Sequence, residues 1–414
     1  MFKLNFDIKK HKLENGLEVL TIKKDTTIAA LNVGVRVGSL YEDINEKGIS
    51  HFIEHMLFKG TTTRSFEELN DDLEFLGGEY NAYTDYTSTV YTVSCLEEEL
   101  KNAIEILGDM LINPKFDKDE IEKERGVILA EMRSGKDDIE DFSFKRINDI
   151  AFKNSPLKYD VAGLEENVKK YKRDDLLKYY NKYYLANNAL ITMVSSLDHE
   201  IAIKEIEKAF KNWNSGETID NKVVEEKNLN TKEVTIKKNI EQNTIVYLYN
   251  FHDLEKDLEL PLRILNHRLG ESSNSLLFRE VREKKGLAYD IYTSIDMTNS
   301  VKTLYIYTAV GEEDVEAAVK SIDETIDGVK DGTLEIGDRD LELMKKVHKT
   351  AVISTLEDPS ELSSYMLHQG LDKEDLYEFQ KDMEKLDTLD IGRIQEVARK
   401  VLNNPTIHIL KSRK

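Results

Sequence analysis

The chain has one cysteine in 414 residues, Cys95, so it has no intrachain disulfide framework and no cysteine-rich metal centre. It has no uninterrupted apolar run of about 18 residues, the length a membrane-spanning helix needs. The first residues, Met1-Phe-Lys-Leu-Asn-Phe-Asp-Ile-Lys-Lys-His11, lack the apolar stretch and small-residue cleavage site of a secretory leader. These absences together lead us to expect a reducing cytoplasm. Positive charge is also scarce: 58 Lys and Arg stand against 79 Asp and Glu, a net charge of −21. That balance argues against nucleic acid or an anionic membrane surface as partner and favours cationic ligands.

What is present is enough for more than one core. Hydrophobic residues make up 40% of the chain, and at roughly 150 residues per domain the length suggests two or three. Residues 7–23 read as a hairpin turning at Asn15-Gly16, and Ala29 to Gly38 as a half-buried strand. Ser65-Phe-Glu-Glu68 is a capping box opening a helix that Gly77-Gly78 ends. A strand region over 79–94 and a helix over 97–111 follow. The polar stretch 214–232 reads as a linker between domains 1–213 and 233–414. Beyond it the pattern returns: Tyr91-Thr-Val-Ser-Cys-Leu-Glu-Glu aligns with Tyr305-Ile-Tyr-Thr-Ala-Val-Gly-Glu, which sets Leu96 opposite Val310. A period that long means two similar domains, not a solenoid.

Chemistry concentrates in Gly48-Ile-Ser-His-Phe-Ile-Glu-His-Met-Leu-Phe-Lys-Gly60. On a helix, His51 and His55 are one turn apart and Glu54 shares their face, so both imidazoles can reach one Zn²⁺ with a carboxylate beside it. A third protein ligand is missing from the motif. The helix over 118–133 offers Glu120, Glu122, Glu124 and Glu131, of which Glu124 and Glu131 lie two turns apart on one face. One of that pair can bind metal while the other supports the site from behind. The corresponding helix of the second half, 260–269, has His267 but no His-x-x-Glu-His, so the second domain is expected to lack a zinc site.

These residues resemble the pitrilysin, insulinase and mitochondrial-processing-peptidase family of inverzincins in its short bacterial form. The likeness rests on His51-Phe-Ile-Glu-His55 with Met-Leu-Phe-Lys-Gly-Thr61; on Glu131, at the family's spacing beyond the second histidine; on Gly77-Gly-Glu-Tyr-Asn-Ala-Tyr-Thr84; and on Arg282-Glu-Lys-Lys-Gly-Leu-Ala-Tyr289. It implies an α+β fold of two homologous domains, each a mainly antiparallel sheet covered by helices, together half of a clamshell. It implies zinc held by His51, His55 and Glu131, Glu124 behind them, and Glu54 as general base in peptide hydrolysis. Arg282 and Tyr289 would hold the peptide carbonyl from the second domain. Asn81 and Ala82 would pair with an extended peptide as an added strand, and Phe58 would line a pocket for a bulky side chain. The acidic run Asp137-Asp-Ile-Glu-Asp141 and the net charge favour basic peptides. Short members of the family pair two chains, so a homodimer is expected, with a heterodimer, a leader-peptide protease or a non-catalytic core subunit as alternatives. One departure stands out. Where processing-type partner subunits have an oligoglycine loop, Leu269-Gly-Glu-Ser-Ser-Asn-Ser275 has a single glycine.

Overall fold

A computed structural model describes residues 6–219, 224–334 and 336–413. Residues 220–223 of the expected linker therefore lie outside the described residues. The chain forms two compact units. Among the described residues no helix is long and apolar enough to cross a membrane.

The first unit is built on a six-stranded sheet of β1 (Asp7–Lys12), β2 (Glu18–Lys23), β3 (Ile28–Val35), β4 (Glu79–Thr84), β5 (Thr89–Leu96) and β6 (Ala189–Ser195). Its order is β1-β2-β6-β3-β5-β4, and only the β2–β6 pair is parallel. The hairpin forms as its turn chemistry predicts: Gly16 takes a left-handed φ of 84° and Asp7 pairs with Lys23. One face of the sheet carries Ala29, Leu31, Val33 and Val35 of β3 into a core shared with α1 (Ile49–Leu57), α2 (Phe66–Phe75) and α3 (Leu100–Ile112). The capping box of α2 is present, with Ser65 accepting from the Glu68 N–H and the Glu68 carboxylate accepting from the Ser65 N–H.

β3 departs from the half-buried strand expected, because seven of its eight residues are buried. The reason is the helix Pro359–Leu371, which lies on the other face of the same sheet. Its Ser363 bonds Thr192 at 2.9 Å, and a Cβ built on Gly34 would meet Leu371 Cδ1 at 2.9 Å. A sheet buried on both faces reads as continuous apolar sequence, not as clean alternation.

The second unit holds β7 (Thr231–Lys238), β8 (Asn243–Asn250), β9 (Ala288–Asp296), β10 (Thr303–Val310) and β11 (Thr406–Arg413) in the order β7-β11-β8-β10-β9. Only β7–β11 is parallel. This is the order and strand sense of β2-β6-β3-β5-β4. β5 runs from Thr89 to Leu96 and β10 from Thr303 to Val310, so the two strands coincide end to end in the alignment read from the sequence. Two helices repeat as well. α4 (Lys118–Asp137) and Asp338–Glu357 are each 20 residues long, and α5 (Ile139–Ala151) and Pro359–Leu371 are each 13 residues long.

The units are not contiguous in sequence. The first comprises Met1–Met132, Tyr159–Lys222 and Val352–Glu378; the second comprises Arg133–Lys158, Val223–Ala351 and Phe379–Lys414. A single cut in the chain does not separate them. Within the second unit α5 packs on β8 and β11, with Ser143 bonded to Thr244. Each sheet thus takes the cover for one face from the opposite half of the chain, which contiguous sequence patterning cannot reveal.

Candidate metal centre

The site is assembled on α1, whose start is set by a glycine and a buried carboxylate. Gly48 adopts a left-handed φ of 95°, and a Cβ there would lie 2.4 Å from the Ala162 carbonyl oxygen. No other residue fits without moving backbone. The first-turn amides, which have no partner within a helix, donate to Glu42: Gly48 N–H and Ser50 N–H bond its carboxylate at 2.9 and 2.8 Å. Burial pushes the Glu42 carboxyl up to about 7 despite those bonds. Gly48→Ala is expected to cost about 2–4 kcal/mol from left-handed strain plus the clash, read as a lower midpoint in thermal unfolding. An unchanged midpoint would show that α1 starts elsewhere.

From this start Ile49, Phe52, Ile53, Met56 and Leu57 turn into the core, which leaves His51, Glu54 and His55 on another face. α4 buries Ile121, Glu124, Ile128 and Met132, and its exposed Glu131 reaches the same point. His51 Nε2 is 3.3 Å from His55 Nε2, which is 3.6 Å from Glu131 Oε2. Among the described residues these three form a group whose donor atoms all lie within 4.8 Å of one another. Four donors at the Zn–N and Zn–O bond lengths of about 2.0–2.1 Å define a tetrahedron with edges of about 3.3–3.4 Å. The two separations from His55 Nε2, 3.3 and 3.6 Å, are close to such edges, and two imidazoles with a carboxylate are a donor set that zinc takes.

Electrostatics agree with that fit. Burial holds His51 down to about 4, so its ring is a neutral donor at ordinary pH. Burial alone would lower His55 too, but the bond to Glu124 and the charges of Glu131 and Glu54 outweigh it and raise its affinity for a proton, the charge a metal would replace. Glu124 Oε2 bonds His55 Nδ1 at 3.0 Å, which leaves Nε2 facing His51 and Glu131. Burial would push Glu124 up; its bonds to His55 and to Lys59 bring it below the usual carboxylate range. Glu54 is buried beside the cluster, and that burial raises its affinity for a proton.

The remaining expected residues fall in two places. Phe58 is half-buried, with its ring 6.5 Å from that of Tyr80 and 6.3 Å from that of Tyr91. Asn81 and Ala82 lie on β4, the edge strand of the first sheet, and the Asn81 side chain accepts from the Ala82 N–H at 2.9 Å. Arg282 and Tyr289 belong to the second unit and are neighbours there. The guanidinium carbon sits 5.0 Å from the centre of the Tyr289 ring and 4.6 Å from that of Phe278, and Tyr289 is 77% exposed on the edge strand β9.

Three contributors are not evident from the sequence. Lys59 Nζ lies 2.8 Å from Glu124 Oε1, Thr84 Oγ1 donates to Glu54 Oε2 at 2.6 Å, and Glu42 caps α1. Lys59 and Thr84 stand within motifs already noted, so position relative to His55 and Ala82 is an available signal. Glu42 has none, because its donors are backbone amides.

Comparisons with known proteins bear on what this arrangement serves. Residues 18–164 match the model of the insulinase family (peptidase family M16), and residues 170–346 match that of the peptidase M16 inactive domain. The chain is 34% identical to an uncharacterised zinc protease of Rickettsia bellii over 76% of each chain. To an uncharacterised zinc protease of Bacillus subtilis it is 30% identical, over 84% of this chain and 85% of the other. In fold it is similar to a protease from Helicobacter pylori, with a TM-score of 0.91 at 22% identity over 98% of this chain and 100% of that one.

Proposed function

The chain belongs to the insulinase peptidase family M16, and from that premise we propose that it is a zinc-dependent endopeptidase acting on short, extended and preferably basic peptides. The observation that carries the proposal is the convergence of His51, His55 and Glu131 with Glu54 alongside. Zinc bound by these three residues supplies a Lewis acid that polarises a peptide carbonyl and acidifies water. Glu54 accepts the proton of the attacking water and returns it to the leaving amine; a carboxylate whose proton affinity is raised by burial is suited to both halves of that transfer. Glu124, charged and bonded to His55, holds the imidazole in the orientation that offers Nε2.

Substrate placement rests on β4. Its outer edge has no partner strand among the described residues, so its main-chain groups can pair with an extended peptide and demand little of its sequence. Asn81 and Ala82 are assigned to this pairing, and Phe58 with Tyr80 to contact with a bulky side chain. Arg282 and Tyr289 are assigned to the peptide carbonyl on the family resemblance, supported by their adjacency in the second unit. A cytoplasmic homodimer is the proposed working form.

The test is purification with zinc, metal analysis, gel filtration, and cleavage of a quenched lysine-rich peptide. One zinc per chain and cleavage by a dimer are expected. A chain that holds zinc but leaves the peptide intact would overturn the peptidase reading, and activity confined to a mixture with a related subunit would replace the homodimer with a heterodimer.

A further inference from the structure

Thr84 places its hydroxyl 2.6 Å from Glu54 Oε2, the short distance of a hydrogen bond to a charged acceptor. The carboxylate is 8% exposed, so this donor compensates part of its desolvation and also restricts the side chain to one orientation. Thr84 lies on β4 two residues beyond Ala82, and strand alternation puts both on one face. Tyr83, between them, points to the opposite face, where its hydroxyl is 2.8 Å from His368 Nε2 on the helix Pro359–Leu371 and its ring stacks on the imidazole at 6.2 Å. β4 is therefore gripped on both faces at adjacent residues while its outer edge is open.

Resting on the peptidase reading, we propose that Thr84 is a positioning residue: it orients Glu54 as base, and because it belongs to the strand assigned to peptide pairing, docking of the peptide aligns the base with the bond to be cut. A threonine that only filled space would be replaced by valine at little cost, since the two have nearly the same shape. A threonine that orients the base is replaced by serine but not by valine.

Three variants decide it. With zinc-loaded protein, Thr84→Val is expected to lower kcat about 10-fold with KM within about twofold and zinc content unchanged, the signature of an interaction lost in the reaction step and not in binding. Thr84→Ser is expected to restore kcat to within about twofold. In metal-free protein, the thermal midpoint shifts of Thr84→Val and Glu54→Ala are expected to be non-additive in the double variant, because both single changes remove one contact. Valine turning over as fast as threonine, or strictly additive midpoints, would overturn the inference while leaving the peptidase reading intact. An inactive zinc-loaded parent chain would overturn both.

Discussion

Glu54→Gln is expected to lower kcat by about 10³-fold while one zinc per chain remains bound. The size follows from the roughly 10²- to 10⁴-fold contribution of a positioned general base, and the change is confined to that role. Glutamine has the same shape, and its amide oxygen can still accept from Thr84. It cannot take up a proton. His51, His55 and Glu131 are untouched, so metal analysis separates a lost base from a lost metal. Turnover of the quenched peptide at the parent rate would remove Glu54 from the mechanism.

Loss of the third donor should act differently. Glu131→Ala is expected to weaken zinc binding by at least about 100-fold and to abolish cleavage at sub-micromolar zinc, whereas Glu124→Gln should weaken it by only about 10- to 100-fold, as removal of an outer partner does. Competition with a chromophoric chelator measures both. Should Glu124→Gln prove the more damaging, the assigned roles of the two carboxylates would be reversed.

The pH dependence follows from His55. Its proton affinity is raised by Glu124, Glu131 and Glu54 against the opposing effect of burial, and the proton competes with zinc for the ring. Zinc affinity should therefore fall as pH falls through the His55 titration, and that titration should move to lower pH in Glu131→Ala. In metal-free protein the sign is reversed. A histidine whose folded pKa is raised contributes stability that is fully present below its unfolded value of about 6.5 and is lost as pH rises through the folded value.

Local features were legible in the sequence because their causes are local. The Asn15-Gly16 turn, the Ser65 capping box, and the helical spacing of His51, Glu54 and His55 each depend on residues within one or two turns of one another. The repeat was legible because the strand of Thr89–Leu96 recurs as that of Thr303–Val310. The single cysteine likewise excluded an intrachain disulfide without reference to a fold.

Contacts across long sequence separations were not legible. The second face of the β3 sheet is covered by Pro359–Leu371, a helix from the opposite half of the chain, and periodicity within β3 shows only that something apolar lies there. Helical period by itself leaves Glu124 and Glu131 equivalent on one face of α4, and without the fold only the family resemblance singles out Glu131 as the ligand. Only the packing of α4 against α1 brings Glu131 to His55 Nε2 and Glu124 to Nδ1. Thr84 on Glu54, Lys59 on Glu124 and Glu42 on the first turn of α1 complete the set. The sequence by itself determined which residues can bind metal and move protons, because that is a property of side-chain chemistry and helical period. Tertiary structure alone decided which of them meet and how each is charged, because burial and proximity arise only when separate elements pack together.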